Sequence, residues 1–199
     1  VFNQPLTFDT SQVTDMRYMF YGATAFNQCL YWDLPSATTT VNMFTNAGGG
    51  QICEKLTDAN IRPAVNTYTT DVTTATATYG PIENWDVSEV TDMSELFMDK
   101  TGFNADISGW DTSKVTTMRN MFSGATAFNQ PLTFDTSQVT NMGNMFKNAY
   151  AFNQPLDFTD TSQVTDMTQM FYATAFNQPL TFDTSKVRDM RYMFANLAG

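Results

Sequence analysis

The sequence predicts an α/β repeat solenoid, a right-handed coil of short parallel strands and short helices, on three observations. The phrase FNQPLTFDTSQVTDMRYMFYGATA runs from Phe2 to Ala25 and restarts at Phe26. Phe-Asn returns at Phe103, Phe128, Phe152 and Phe176, so neighbouring copies within a run lie 24 or 25 residues apart. Aligned copies also put the large apolar residues in columns. All 17 Phe and 3 Trp fall into three of them: Phe2, Phe26, Phe103, Phe128, Phe152, Phe176; then Phe8, Trp32, Trp85, Trp110, Phe134, Phe158, Phe182; then Phe20, Phe44, Phe97, Phe122, Phe146, Phe171, Phe194. A unit this short cannot bury an apolar face alone, so its copies must stack.

Each copy offers the same local signals. PLTF and VTDM alternate apolar and polar side chains, as a short strand does. MRYMFYGA sets Met16, Met19 and Phe20 at i, i+3 and i+4, one face of a helical turn, and Gly22 supplies a turn. In DTS the Asp side chain caps a turn by accepting from downstream amides.

Between Thr45 and Tyr79 the register breaks. Gly48-Gly49-Gly50 marks a loop, and LTDANIRPAVNTY reads as a short helix capped by Thr57 or Asp58, with Pro63 tolerable in its first turn. TTDVTTATATYG reads as Thr-rich low complexity. The organisation expected is two coils over 1–50, an insert over 51–80 and five coils over 81–199.

Composition removes whole classes of function. With no His, neither a Ser-His-Asp or Cys-His pair nor an HExxH zinc site can form. Two Cys cannot build a four-cysteine zinc site. A net charge of −10 argues against a nucleic-acid partner. No apolar run approaches 18 residues, so no membrane span is expected. The absence of an initiating Met and of a signal peptide marks a mature or excised stretch.

The string NWDVSEVTDMSELF (Asn84–Phe97), followed by FNADISGWDTSKVTTMRNMFSGATAFNQPL, resembles the BspA-like surface-protein repeat, a leucine-rich-repeat relative with units of about 25 residues. The resemblance implies a leucine-rich-repeat-like coil, an extracellular, cell-surface location, a binding or structural role and no catalytic residues. It also implies that a segment like Leu56–Gly80 opens an array, so residues 1–50 read as the tail of one array and 51–199 as the start of another.

The candidate sites carry competing readings. Cys29 and Cys53 are a disulfide candidate in a surface-type chain, or two unpaired buried thiols. The Asp column Asp9, Asp33, Asp86, Asp111, Asp135, Asp160 and Asp183 could bridge Ca²⁺, or simply cap turns; no other cofactor is indicated. Thr69, Thr70, Thr73 and Thr74 are candidate O-glycan acceptors, or solvent-facing Thr; no N-x-S/T acceptor exists. Enzyme activity is not expected, because repeat-locked Asp is poor evidence for a unique acid–base pair.

The expected function is a structural subunit of an extracellular fibre, a head-to-tail homopolymer joined at its in-phase ends through Val1, Phe2, Phe194 and Leu197. The alternative is a surface adhesin or ligand-binding array, cut from a longer protein, that takes glycans or host surface proteins. The outward positions Gln12, Glu89, Lys114, Gln138, Gln163 and Lys186 vary only mildly, which leans structural.

Overall fold

The computed structural model of the chain describes residues 2–197. These divide into two compact units, one made of the residues up to Lys55 with Ala77–Gly80, the other of Leu56–Thr76 with the residues from Pro81 onward.

The expected α/β solenoid of strands and helices does not form. Among the described residues, strands are confined to β1 (Cys29–Leu30) and β2 (Gln51–Ile52), a parallel pair with Cys29 opposite Gln51. The α-helices lie in the insert, α1 over Ile61–Thr70 and α2 over Val72–Tyr79, followed by one 3-10 turn at Ile82–Asn84. The repeats themselves are coils of turns, seven by sequence: coils 1 and 2 begin at Phe2 and Phe26, coil 3 precedes Phe103, and coils 4 to 7 begin at Phe103, Phe128, Phe152 and Phe176.

The reason is conformational. In the segment read as helical, Met19 donates to the Met16 carbonyl, Tyr21 to Tyr18 and Ala23 to Phe20, all i to i−3 bonds. Tyr18 and Gly22, at φ of 60° and 68°, are left-handed, and a right-handed helix cannot run through such residues. The pair recurs in later coils, as Asn120 with Gly124 and Asn144 with Asn148. Asn and Gly tolerate that region best, so an Asn just before the second Met and a Gly or Asn two residues after the Phe were the missed signal.

The turns leave alternate N–H groups pointing along the stack. Met16, Tyr18, Phe20 and Gly22 donate to the carbonyls of Thr39, Val41, Met43 and Thr45 in coil 2, at 2.9, 3.4, 2.9 and 2.9 Å. Four equivalent bonds join coil 3 to 4, 4 to 5, 5 to 6 and 6 to 7. The VTDM segments touch only at single parallel bridges, Asp15 to Thr39 and Asp92 to Thr117 among them, because a turn begins immediately afterwards. Backbone polar groups are thus satisfied between coils without extended strands.

The apolar columns are the core. In the second unit Phe97, Phe122, Phe146, Phe171 and Phe194 stack with centroids 5.4 to 5.7 Å apart and planes within 6° of parallel. Phe122 also lies 4.1 Å from Phe128, and Phe146 lies 4.0 Å from Phe152, so two columns interleave. In the first unit Phe20 stacks on Phe26 at 4.1 Å and on Phe44 at 5.4 Å.

The insert corrects one further expectation. α1 begins at Ile61 after Asn60, and neither Thr57 nor Asp58 caps it; Pro63 is its third residue, where the missing N–H costs nothing. The Thr-rich stretch supplies the end of α1 and all of α2.

Candidate functional site

Tyr68, Asp99, Lys100 and Phe103 line a hollow of about 680 Å³ in the second unit. The edges of the stack carry the rest of its polar groups. Within the stack, the Asp side chains after the second aromatic column accept from the N–H two residues on, Asp9 from Ser11, Asp111 from Ser113, Asp135 from Ser137 and Asp183 from Ser185 among them, at 2.8 to 3.1 Å; Asp33, followed by Pro35, pairs with Lys55 instead. The backbone bond from Ser185 lowers the Asp183 carboxyl below its usual range, and Asp9 and Asp135 shift alike through Ser11 and Ser137. These oxygens serve as turn caps. Thr112 and Thr136, the next residues, are buried and donate to the carbonyls of Asp135 and Asp160 in the following coil. An Asn ladder runs along another flank: the N–H groups of Asn129, Asn153 and Asn177 donate to the side-chain oxygens of Asn104, Asn129 and Asn153.

Coil 3 is the first coil of the second unit, and its first edge is partly covered. Toward a preceding coil the Thr91 N–H would donate and the Asp92 carbonyl would accept, as the Thr116 N–H and the Thr117 carbonyl of coil 4 do toward coil 3. Asp58 instead accepts from the Thr91 N–H at 2.8 Å, the Thr91 hydroxyl at 2.6 Å and the Asp92 N–H at 3.0 Å. Arg62 donates to the carbonyls of Asp92 and Ser94 at 3.2 and 2.6 Å. Burial opposes ionisation of Asp58, but the bonds from Thr91 and Asp92, with Arg62 nearby, outweigh it and hold the carboxyl below its usual range. Residues 56–62 therefore imitate a preceding coil with side chains. Sequence reasoning assigned Asp58 to helix capping and gave Arg62 no role. A carboxylate and a guanidinium four residues apart, just ahead of the first complete coil, were the available signal.

Coil 1 of the first unit has no such cover. Among the described residues, the carbonyls of Asp15, Arg17, Met19 and Tyr21, the counterparts of Thr39, Val41, Met43 and Thr45, accept no backbone N–H. Beside them Phe8, Met16, Met19 and Trp32, together with Asp9, Asp15 and Arg17, line a hollow of about 480 Å³. Coil 7 of the second unit is open in the opposite sense. The N–H groups of Met190, Tyr192, Phe194 and Asn196 donate to no carbonyl among the described residues, whereas their counterparts in coil 6 all do. Exposure follows: Phe97, Phe122, Phe146 and Phe171 are fully buried, yet Phe194 is 48% exposed, Phe2 51% and Phe8 54%. Coil 2 is open in the same sense: among the described residues the N–H groups of Thr40, Asn42, Phe44 and Asn46 donate to no backbone carbonyl, and its Phe26 and Met43 are buried as Phe176 and Met193 of coil 7 are.

A family model described as "Mycoplasma protein of unknown function, DUF285" matches residues 1–61, 66–180 and 133–198. The chain belongs to this family. No curated protein and no solved structure matches it. The two longer DUF285 matches overlap over 133–180, as expected where one repeat can align in more than one register.

The residues singled out from sequence take these places in the DUF285 chain. Cys29 and Cys53 form a disulfide with Cα atoms 5.5 Å apart, tying β1 to the residue after β2. Phe2 lies on the open face of coil 1, and Phe194 and Leu197 are exposed in coil 7; Val1 lies outside the described residues. Thr69 and Thr70 end α1, with hydroxyls donating to the carbonyls of Val65 and Asn66, while Thr73 and Thr74 are exposed on α2. Among the described residues no helix is long and apolar enough to cross a membrane.

Proposed function

We propose that this chain is a structural subunit of an extracellular surface fibre, in which coil 7 of one copy stacks on coil 1 of the next. One observation carries the reading: at coil 3's edge Asp58 and Arg62 bond Thr91, Asp92 and Ser94, whereas among the described residues coil 1 keeps all four of its carbonyls, and coil 7 all four of its N–H groups, without a backbone partner. The rows match. Donors at Met190, Tyr192, Phe194 and Asn196 have the two-residue spacing of acceptors at Asp15, Arg17, Met19 and Tyr21, the pattern that joins every stacked pair within the chain. The apolar faces match as well, since Phe194 and Phe182 continue the columns that contain Phe20 and Phe8. Different faces meeting head to tail form a filament where the rotation between copies does not close a ring.

The role is mechanical: aromatic columns and hydrogen-bond rows pass from copy to copy. The Cys29–Cys53 disulfide and the likeness to BspA-like surface repeats support an extracellular setting. Burying a Phe side chain contributes about 1.5–3 kcal/mol, so a charge in its place at either edge should abolish assembly. Sedimentation velocity over a concentration series tests this. The unmodified chain should form growing species, and Phe194→Glu or Phe8→Glu should stay monomeric with an unchanged circular dichroism spectrum. A monomeric unmodified chain at every concentration would overturn the proposal.

A further inference from the structure

The hollow of about 680 Å³ in the second unit is lined by Tyr68, Thr70 and Val72, where α1 passes into α2, and by Lys100, Gly102 and Asn104, where coil 3 passes into coil 4. It falls where the repeat is interrupted, because the Phe-Asn pair that opens coils 4 to 7 is missing from coil 3. In the later coils, backbone donors around this pair reach back one coil. Ala127 and Ala151 donate to the carbonyls of Thr101 and Thr126, both at 3.2 Å. Asn129, Asn153 and Asn177 donate to the carboxamide oxygen of the preceding Asn, at 2.8 to 3.0 Å. Gly102 and Asn104 hold the same two places at the hollow, and their N–H groups find no partner among the described residues. A Cβ at Gly102 would meet no atom within 4 Å, so the space beside it is open.

The surroundings indicate what the open place takes. Every filled place equivalent to that beside Asn104 in coils 5 to 7 holds a carboxamide oxygen, so an amide carbonyl fits it. The neighbouring surface is apolar. Val72 is exposed, and Trp85 and Phe103 meet the Tyr68 ring nearly perpendicular, at 5.9 and 6.4 Å, rather than stacking on it. The polar rim carries one carboxylate, Asp99, and one ammonium, Lys100, which donates to Asn66 Oδ1 at 2.7 Å and keeps two further donors. One charge of each sign suits a neutral ligand. A peptide would bring N–H groups of its own, and the carbonyls here are engaged. Those of Asp99, Lys100 and Thr101 accept from Thr101, Phe103 and Ala127, and that of Asn104 accepts from the Gln130 side chain. A neutral molecule with an amide carbonyl, a methyl group and several hydroxyls answers each of these features.

We infer that the hollow binds an N-acetylhexosamine unit of a glycan. The acetamido oxygen accepts from the Asn104 N–H, the acetamido methyl and ring C–H groups lie against Tyr68 and Val72, and sugar hydroxyls pair with Asp99 and Lys100. The volume lies within the range of small-ligand sites, about 300–1,000 Å³. The site is internal to the chain, and it stands whether or not copies join into a fibre.

The test follows backbone amide shifts of the isotope-labelled full chain during titration with three probes. These are tri-N-acetylchitotriose, cellotriose, which carries hydroxyls in place of the acetamido groups, and the peptide Thr-Ala-Phe-Asn-Gln-Pro of residues 126–131. The acetylated sugar should shift the Gly102 and Asn104 amides, and cellotriose should bind at least about tenfold more weakly. Gly102→Gln puts a side chain into open space without left-handed strain, so it should melt like the unmodified chain and lose the response. Val72→Asp, at an exposed residue, should weaken binding and leave the fold intact. Phe194→Glu should bind like the unmodified chain, which separates this site from assembly. Equal binding of the two sugars, a response to the peptide alone, or unmoved Gly102 and Asn104 amides would overturn the assignment.

Discussion

Single residues decide the path of this chain more than segment propensities do. Asn144, at φ of 57°, sits between two turns, and its N–H donates to Thr168 of the next coil at 2.7 Å. Asn144→Gly should therefore be nearly neutral, and Asn144→Val should cost about 1–2 kcal/mol in denaturant unfolding; equal stabilities would dismiss the left-handed constraint. The capping carboxylates set the response to acid. Hydrogen bonds from Ser11, Ser108, Ser113, Ser137 and Ser185 lower Asp9, Asp106, Asp111, Asp135 and Asp183 from the ordinary 3.8. Groups so lowered stabilise the fold fully above their unfolded value, and that stability is lost as pH falls through the folded values. Thermal melts should be flat above about pH 5 and decline below about pH 4. A melting temperature unchanged down to about pH 2.5 would contradict the capping role.

At the level of elements, the repeat and its columns were legible in the sequence and the local geometry was not. Column membership rests on spacing alone, and the stacked rings of Phe97 to Phe194 follow it. The Met16, Met19, Phe20 spacing fits a helical face and a run of turns equally well, and only the residues between them decide. Tyr18 gives no left-handed signal, whereas Asn120 with Gly124 does. The strand reading of VTDM failed because alternation says nothing about how many residues pair before the next turn. The cover over coil 3 was illegible for a different reason: Asp58 and Arg62 act on Thr91, Asp92 and Ser94, some 30 residues away, and no local pattern reports that. Asp58→Ala should speed amide exchange at Thr91 and Asp92 by at least about tenfold, while Thr140, held by the Thr116 carbonyl, keeps its protection. Uniform exchange changes across the coils, or none, would remove Asp58 from that role.

For the molecule as a whole, the distribution of covered and open edges is the functional statement. In the proposed fibre, copies join where the carbonyls of coil 1 meet the N–H groups of coil 7, both rows without a backbone partner among the described residues. The most direct measurement mixes two chains blocked at opposite edges, Phe8→Glu at coil 1 and Phe194→Glu at coil 7. Each alone has one working edge and nothing to pair it with, so each should sediment as a monomer. Mixed in equal amounts, they should form a one-to-one dimer and nothing larger, because the only complementary pair of edges is then used up. Persistent monomers in the mixture, or either blocked chain forming filaments alone, would contradict head-to-tail assembly.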